Sequence, residues 1–198
     1  MTNTSSSNWK LLAHSLELLL INSTITWTPI TNTFNSIMSP FDSKTIPNIS
    51  IHSYLERINK HAKCSDPCFV VAYIYINRVL KNKGFILSRQ NIYRLILASM
   101  VVAIKYNDDV FASNKSYSMI GGVDLDEINI LEPCILDLLQ FHLFVTQDLY
   151  LKSLKKLRFN YKLCQKEEMM RSDLKPLSNK MSIESIETLG SFNDTFKE

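Results

Sequence analysis

Residues 95–104 read LILASMVVAI, and wound into a helix this stretch would be apolar on every side. A helix of that kind is stable in water only when other elements surround it. The stretch is too short to cross a membrane, which takes about 18 apolar residues or more, and we expect no membrane association. A chain of 198 residues is long enough to build a core, because it can bury roughly 70% of its unfolded surface. The sequence therefore predicts one domain, with or without tails, built around this central helix.

Several other segments also show helical patterns, and together with the central one they predict an all-α fold. Apolar residues recur in them at helical spacing. Four glycines and six prolines are too few for a turn-rich all-β fold. Residues 23–46 are expected to form a loop, and the polar residues after 165 a tail. The predicted helices are Trp9–Asn22, Ile51–His61, Ser65 to about Gly84, Ser88–Asn107, Lys115–Ile120, one that opens at Asp124-x-x-Glu127, and Gln147–Lys162.

Two of these helices open with residues typical of N-terminal caps. Asp66 stands before Pro67, which favours the first turn of a helix. Asp124 and Glu127 have the spacing of a capping box. The run CFVVAYIYI at 68–76 is also typical of a strand, because β-branched and aromatic residues dominate it. We favour a helix there, since the run continues well beyond strand length without a turn.

Composition and motifs give little support for catalysis or for nucleic-acid binding. The net charge of +3 is too weak for a nucleic-acid footprint. We find no phosphate-binding glycine loop, no catalytic serine motif and no zinc-ligand spacing among the cysteines, so we expect no enzyme activity, cofactor or metal. Cys68 and Cys134 lie in apolar runs and are expected to be buried. The basic residues of 152–162 are expected on a solvated helix face. A helical enzyme built around Asp108 and Asp109 is kept as an alternative.

Three motifs follow one another in the second half of the chain. They are Lys105-x-x-Asp108-Asp109, Asn114-x-x-Tyr117-x-x-x-Gly121-Gly122 and Glu127-x-Asn129-x-x-Glu132. The stretch IPNISIHSYLERINKHAKCSDPCFVVAYIYINR precedes them and LLQFHLFV follows. In this order and spacing, residues 41–154 resemble the cyclin box. The resemblance is to the phosphate-regulon type of fungal cyclin, with its P- and U-type relatives in plants and protists.

The resemblance implies an all-α fold, a five-helix cyclin box with additional N-terminal and C-terminal helices. We expect an N-terminal helix and loop at 1–46, the box at 47–145, an extra helix at 146–164 and a polar tail at 165–198. The implied function is a non-catalytic regulatory subunit that binds a cyclin-dependent protein kinase and activates it by holding its regulatory helix inward. The chain is then a monomer alone and a heterodimer with its kinase, in the cytoplasm or the nucleus. Whether the pathway is phosphate signalling or the cell cycle is left open.

The resemblance also implies the residues that contact the kinase. Cyclins hold the start of the kinase helix with a lysine and a glutamate, which match Lys105 and Glu132. The lysine offers donors to backbone carbonyls, and the glutamate accepts from backbone N–H groups. Beside them cyclins form an apolar pocket for an aliphatic side chain of the kinase. By alignment its walls are Val102, Tyr106, Leu136, Phe141 and Leu143.

The sequence departs from cyclins at a few positions. Pro133 lies inside the fifth helix of the box, and we expect a kink or an unsatisfied carbonyl near Asn129. Asn77 replaces the usual aspartate before an arginine, so an ion pair becomes a neutral hydrogen bond. Tyr54 and Arg57 replace the tryptophan and the acidic residue with which cell-cycle cyclins dock Arg-x-Leu motifs, and such docking is not expected. A second alternative is a cyclin-box scaffold in transcription that binds DNA or protein partners.

Overall fold

The computed structural model describes residues 7–26, 39–81 and 85–166, with the side chains of the first range described to residue 23. These ranges hold seven helices and no strand, which confirms the all-α prediction and excludes a strand at 68–76. The expected tail lies outside the described residues after 166. The helices are α1 Asn8–Thr26, α2 Ile51–His61, α3 Pro67–Leu80, α4 Ile92–Asn107, α5 Asn114–Gly121, α6 Leu125–Leu138 and α7 147–166.

Two compact units divide the chain, Met1–Asn160 and Tyr161–Glu198. The first contains α1 to α6 and most of α7, and it carries every feature argued below. None of the described helices is both long and apolar enough to span a bilayer.

The apolar stretch of 95–104 forms the centre of α4, as its composition predicts. Every residue from Leu95 to Ile104 is buried. α4 packs against α3 and α6 and touches α5, while α1 packs against α2 and α3, and α2 touches α5. α3 is nearly as apolar, with ten buried residues between Cys68 and Val79. Two buried helices at the centre leave the outer helices to supply the polar surface.

The helix starts differ from the sequence predictions in which side chains cap them. The Ser50 and Ser113 hydroxyls accept hydrogen bonds from backbone N–H groups and cap α2 and α5. Asp66 does not cap α3; its carboxylate accepts from the Asn8 N–H at 2.9 Å and so caps α1 instead. Asp124 makes no side-chain cap bond on α6, so the predicted capping box is wrong.

Glu127 is turned away from that cap because it pairs with Arg94 of α4. A charged partner on a neighbouring helix offers a stronger bond than a backbone N–H, so the tertiary contact wins. Cys68 is fully buried as predicted, but Cys134 is only partly buried and that prediction is wrong. Cys134 follows Pro133, an exposed residue through which α6 stays helical. The kink expected there stays a prediction.

The end of α5 depends on two glycines. Gly122 has φ +69°, a left-handed conformation that glycine adopts without strain, and it ends the helix. Gly121 is buried against α4, where an added Cβ would lie 2.3 Å from Leu97 Cδ2. The first glycine thus permits close helix packing and the second permits the turn into α6.

Candidate partner-binding site

Lys105 of α4 and Glu132 of α6 face each other where the two helices pack together. Lys105 Nζ donates to both carboxylate oxygens of Glu132, at 2.6 and 2.7 Å. The two side chains are 25% and 20% exposed, so the pair is neither sunk in the core nor fully solvated. We call this contact the central ion pair. The structure brings together two residues that are 27 positions apart and that the cyclin resemblance assigns to one site.

Asn114, the first residue of α5, completes the cluster. Its Oδ1 accepts from Lys105 Nζ at 2.8 Å, and its Nδ2 donates to Glu132 Oε2 and to Asn129 Oδ1, both at 2.9 Å. The Lys105 ammonium thus has three acceptor atoms within hydrogen-bond distance, two of them on one carboxylate. The sequence analysis named Asn114 within a motif but assigned it no role. Its position at the helix start after Ser113 was the available indication.

The five predicted pocket residues differ widely in exposure. Tyr106 is 50% exposed and Phe141 67% exposed, whereas Leu136 and Leu143 are partly buried. Val102 is only 3% exposed, so its side chain belongs to the core. Two of the five are thus exposed aromatic side chains, two are partly buried aliphatic ones, and Val102 is core.

Phe141 owes its exposure to the turn that ends α6. Gln140 and Phe141 have φ of 51° and 56°, a left-handed backbone conformation that is uncommon for residues other than glycine. The Phe141 N–H donates to the Leu136 carbonyl at 3.0 Å and the Gln140 N–H to the Asp137 carbonyl at 2.9 Å. This is the Schellman pattern of a helix end. It ties Phe141 to the Leu136 carbonyl, and Leu136 lies one turn of α6 beyond Glu132.

α3 holds the segment that follows this turn. Arg78 donates to the carbonyls of His142 and Phe144, and the Tyr75 hydroxyl donates to the Leu143 carbonyl at 2.9 Å. Asn77, next to Arg78, donates instead to the Tyr73 carbonyl of its own helix at 2.7 Å. The neutral bond expected at Asn77 is therefore made within α3, and the arginine positions 142–144.

Further apolar side chains are exposed on the same elements, and the sequence analysis did not single them out. They are Val110 at 82%, Phe111 at 53%, Ile130 at 54% and Phe144 at 71%. Val110 and Phe111 follow α4, Ile130 lies on α6, and Phe144 lies in the segment that α3 holds.

Asp108 and Asp109 do not form a reactive pair. The Asp108 carboxylate accepts from the Ser65 N–H at 2.9 Å and from the Ser65 hydroxyl, while Asp109 is exposed. Partial burial tends to raise the pKa of Asp108, but the bonds from Ser65 outweigh it and the pKa is lowered. In the described part of the chain no three His, Cys, Asp or Glu side chains are grouped to hold a metal. Asp108 is therefore a structural link between α4 and the start of α3.

The basic side chains of α7 lie on its solvated face, as predicted. Lys152, Lys155, Lys156 and Arg158 are all exposed. Lys152 pairs with Asp148 at 2.8 Å, one helical turn away. An exposed pair of this kind adds little to stability.

Comparison with known proteins agrees with the resemblance. The model of the cyclin family matches residues 10–143. Cyclin-U4-2 of Arabidopsis thaliana is 38% identical over 141 residues, which cover 71% of this chain and 62% of that relative. Cyclin-U4-1 of the same plant is 38% identical over 158 residues, 79% of this chain and 73% of that relative. Cyclin-P4-1 of Oryza sativa subsp. japonica is 41% identical over 110 residues, 55% of this chain and 52% of that relative. The matches thus span from about half to nearly three quarters of these relatives.

Proposed function

Because the chain belongs to the cyclin family, we propose that it is a non-catalytic regulatory subunit of a cyclin-dependent protein kinase. Its similarity to U-type and P-type cyclins of plants identifies it as a P/U-type cyclin. In the proposed complex it holds the regulatory helix of the kinase inward, as one copy bound to one kinase, in the cytoplasm or the nucleus.

One observation carries this proposal: the central ion pair is partly buried between α4 and α6, and exposed aromatic side chains lie on or just after the same two helices. Tyr106 follows Lys105 in α4. The Phe141 N–H donates to the carbonyl of Leu136, which lies one turn of α6 beyond Glu132. A partly buried charge pair with exposed aromatic side chains on the same elements has the anatomy of a protein interface, with apolar anchors and a polar rim. The residues fit a partner helix whose first turn lies over the pair.

The hydrogen-bonding groups of Glu132 and Lys105 indicate how such a helix is held. The first turn of a helix has N–H groups without partners inside the helix, and the Glu132 carboxylate can accept from them. Lys105 already bonds to Glu132 and Asn114, so a kinase carbonyl would compete with these acceptors for its hydrogens. We propose that Asn114 is the acceptor released, because its loss leaves both charges paired.

Activation then follows from differential binding. A kinase is active only when its regulatory helix is inward, so that a helix glutamate pairs with the phosphate-binding lysine. A rigid surface that fits only the inward helix binds one of the two kinase states and shifts the population toward it. The buried residues of α4, among them Val102 at 3% exposure, provide that rigidity.

The test mixes the purified chain with a set of cyclin-dependent kinases and measures complex formation and phosphorylation of a protein substrate. We expect at least one kinase to bind and to be stimulated. Replacing Lys105→Ala together with Glu132→Ala should weaken that complex by about 2 kcal/mol, roughly thirtyfold in Kd.

A matched control is Asp148→Ala with Lys152→Ala, which removes the exposed pair of α7 and should leave the affinity unchanged. Both double variants should stay folded by circular dichroism. The proposal is wrong if no kinase binds or is stimulated. It is also wrong if the folded Lys105–Glu132 double variant binds as tightly as the unmodified chain.

A further inference from the structure

A cavity of about 540 Å³ lies at the opposite end of α5 from the central ion pair. Asn114 begins α5 and Gly121 ends it, so the two sites are about 10 Å apart along the helix axis. Within the described residues, the charged side chains that line the cavity are Arg57 and Arg94, with no carboxylate among them. The charged groups that line the cavity are therefore all positive. The cavity does not include the central ion pair.

The two arginines are not equivalent. Arg94 is neutralised by Glu127. No carboxylate of the described residues lies within ion-pair distance of Arg57, and the Arg57 Nε atom is buried without a hydrogen-bond acceptor. A buried N–H without a partner is unfavourable.

Packing holds the Arg57 guanidinium in place. It lies 5.2 Å from the ring centroid of Tyr54, and the Tyr54 hydroxyl donates to the Gly121 carbonyl at 3.2 Å. Gly122 lies on the other side, where an added Cβ would be 3.5 Å from Arg57 Nη2. The planar fork of the side chain thus lies between α2 and the end of α5, and no side chain of the described residues forms an ion pair with it.

Neutral donors complete the lining. Thr45 and Asn48 lie in the segment before α2 and line the same cavity. A second cavity of about 620 Å³ shares Pro47, Asn48, Ile49 and Tyr93 in its lining and is therefore a direct neighbour of the first. An arginine fork with hydroxyl and amide groups is the donor set that binds phosphate-type oxyanions.

We propose that this cavity binds a phosphate-type oxyanion, with Arg57 as its charged donor. The anion is either free phosphate or the phosphorylated side chain of a peptide that runs into the neighbouring cavity. The site is separate from the proposed kinase contact, and its test does not require a kinase.

The Arg57 Nε–H resonance in a nitrogen–proton NMR spectrum reports on the site directly. It is assigned by its loss in Arg57→Lys. The full chain is titrated with inorganic phosphate, with a phosphoserine peptide, with the unphosphorylated peptide and with acetate. A saturable shift with inorganic phosphate supports a free ion, and a shift only with the phosphorylated peptide supports a peptide ligand.

Arg57→Gln should weaken that binding about tenfold or more, because it removes the charged donor. Arg57→Lys keeps the charge without the fork and should give an intermediate loss. The matched control, Arg158→Gln, makes the same charge change on the exposed face of α7, outside both cavities, and should leave the affinity unchanged. No shift of Arg57 at millimolar phosphate or phosphopeptide, or an equal response to acetate, overturns the proposal. If Arg57→Gln fails to fold, the titration of the unmodified chain still decides.

Discussion

Replacing Gly121→Ala tests the close packing of α5 on α4. The added Cβ would lie 2.3 Å from Leu97 Cδ2 and 2.9 Å from Cδ1, whereas carbon atoms normally approach to about 3.5–4.0 Å. The Leu97 methyl would have to move by about 1.5 Å to restore an ordinary contact. Leu97 is 2% exposed and surrounded by other helices, so no free space receives it. Overpacking of this kind costs about 1–3 kcal/mol.

Alanine is the better helix former, and its advantage of up to about 1 kcal/mol over glycine opposes that cost. The net effect should be a loss of about 1–2 kcal/mol in the free energy of unfolding. Urea unfolding followed by circular dichroism measures it as a lower midpoint at an unchanged slope.

The decisive comparison places the same change in a Leu97→Ala background. Leu97→Ala alone should cost about 2–5 kcal/mol because it leaves a cavity in the core. In that background Gly121→Ala has no methyl to displace and should be neutral or stabilising. Equal losses in both backgrounds, within about 0.5 kcal/mol, would refute the steric explanation.

Three further predictions concern charges and thiols. A double-mutant cycle on the central ion pair should give a coupling of about 1–2 kcal/mol in urea unfolding, against about 0.3–0.5 for the exposed Asp148–Lys152 pair; equal couplings would contradict the role of burial. The pKa of Asp108 is lowered in the folded state, so its contribution to stability is present above pH 3.8 and is lost as the pH falls through the folded-state pKa. Acid unfolding of Asp108→Asn should therefore converge with that of the unmodified chain at low pH, and a constant difference would count against this. Burial raises the pKa of Cys64 to about 11 and of Cys68 to about 12, so both thiols should alkylate slowly with iodoacetamide at pH 8. The labelled positions are identified by peptide mass spectrometry, because Cys134 and Cys164 are also free, and rapid labelling of Cys64 or Cys68 would show the assignment to be wrong.

Local patterns predicted the helices well and their polar contacts poorly. α2 begins and ends at Ile51 and His61, as its apolar spacing and flanking residues indicate. Asp66 and Glu127 have the sequence positions of cap residues, but each bonds to another helix. Sequence spacing describes what a side chain can reach within its own helix and says nothing about which helix packs beside it.

The candidate site shows the same division. The cyclin resemblance identified Lys105 and Glu132 as members of one site, and the structure places them in contact. Sequence spacing predicts neither the direct bond between them nor the hydrogen bonds that Asn114 makes to both. These contacts exist only once α4, α5 and α6 are packed together. The exposure of Phe141 depends on the left-handed conformation of Gln140 and Phe141, which the conformational preferences of these two residue types do not predict.

The bonds from α3 to the segment after α6 have a consequence for how partner affinity can be lost. Arg78 and Tyr75 hold the carbonyls of 142–144 from the rear, while the aromatic rings of Phe141 and Phe144 point outward. Without this brace the segment would sample many conformations and would have to be ordered at the moment of association, which lowers affinity. A substitution such as Arg78→Ala thus removes no atom that contacts the partner and still weakens partner binding. A mutational survey restricted to exposed contact residues would not find this cause.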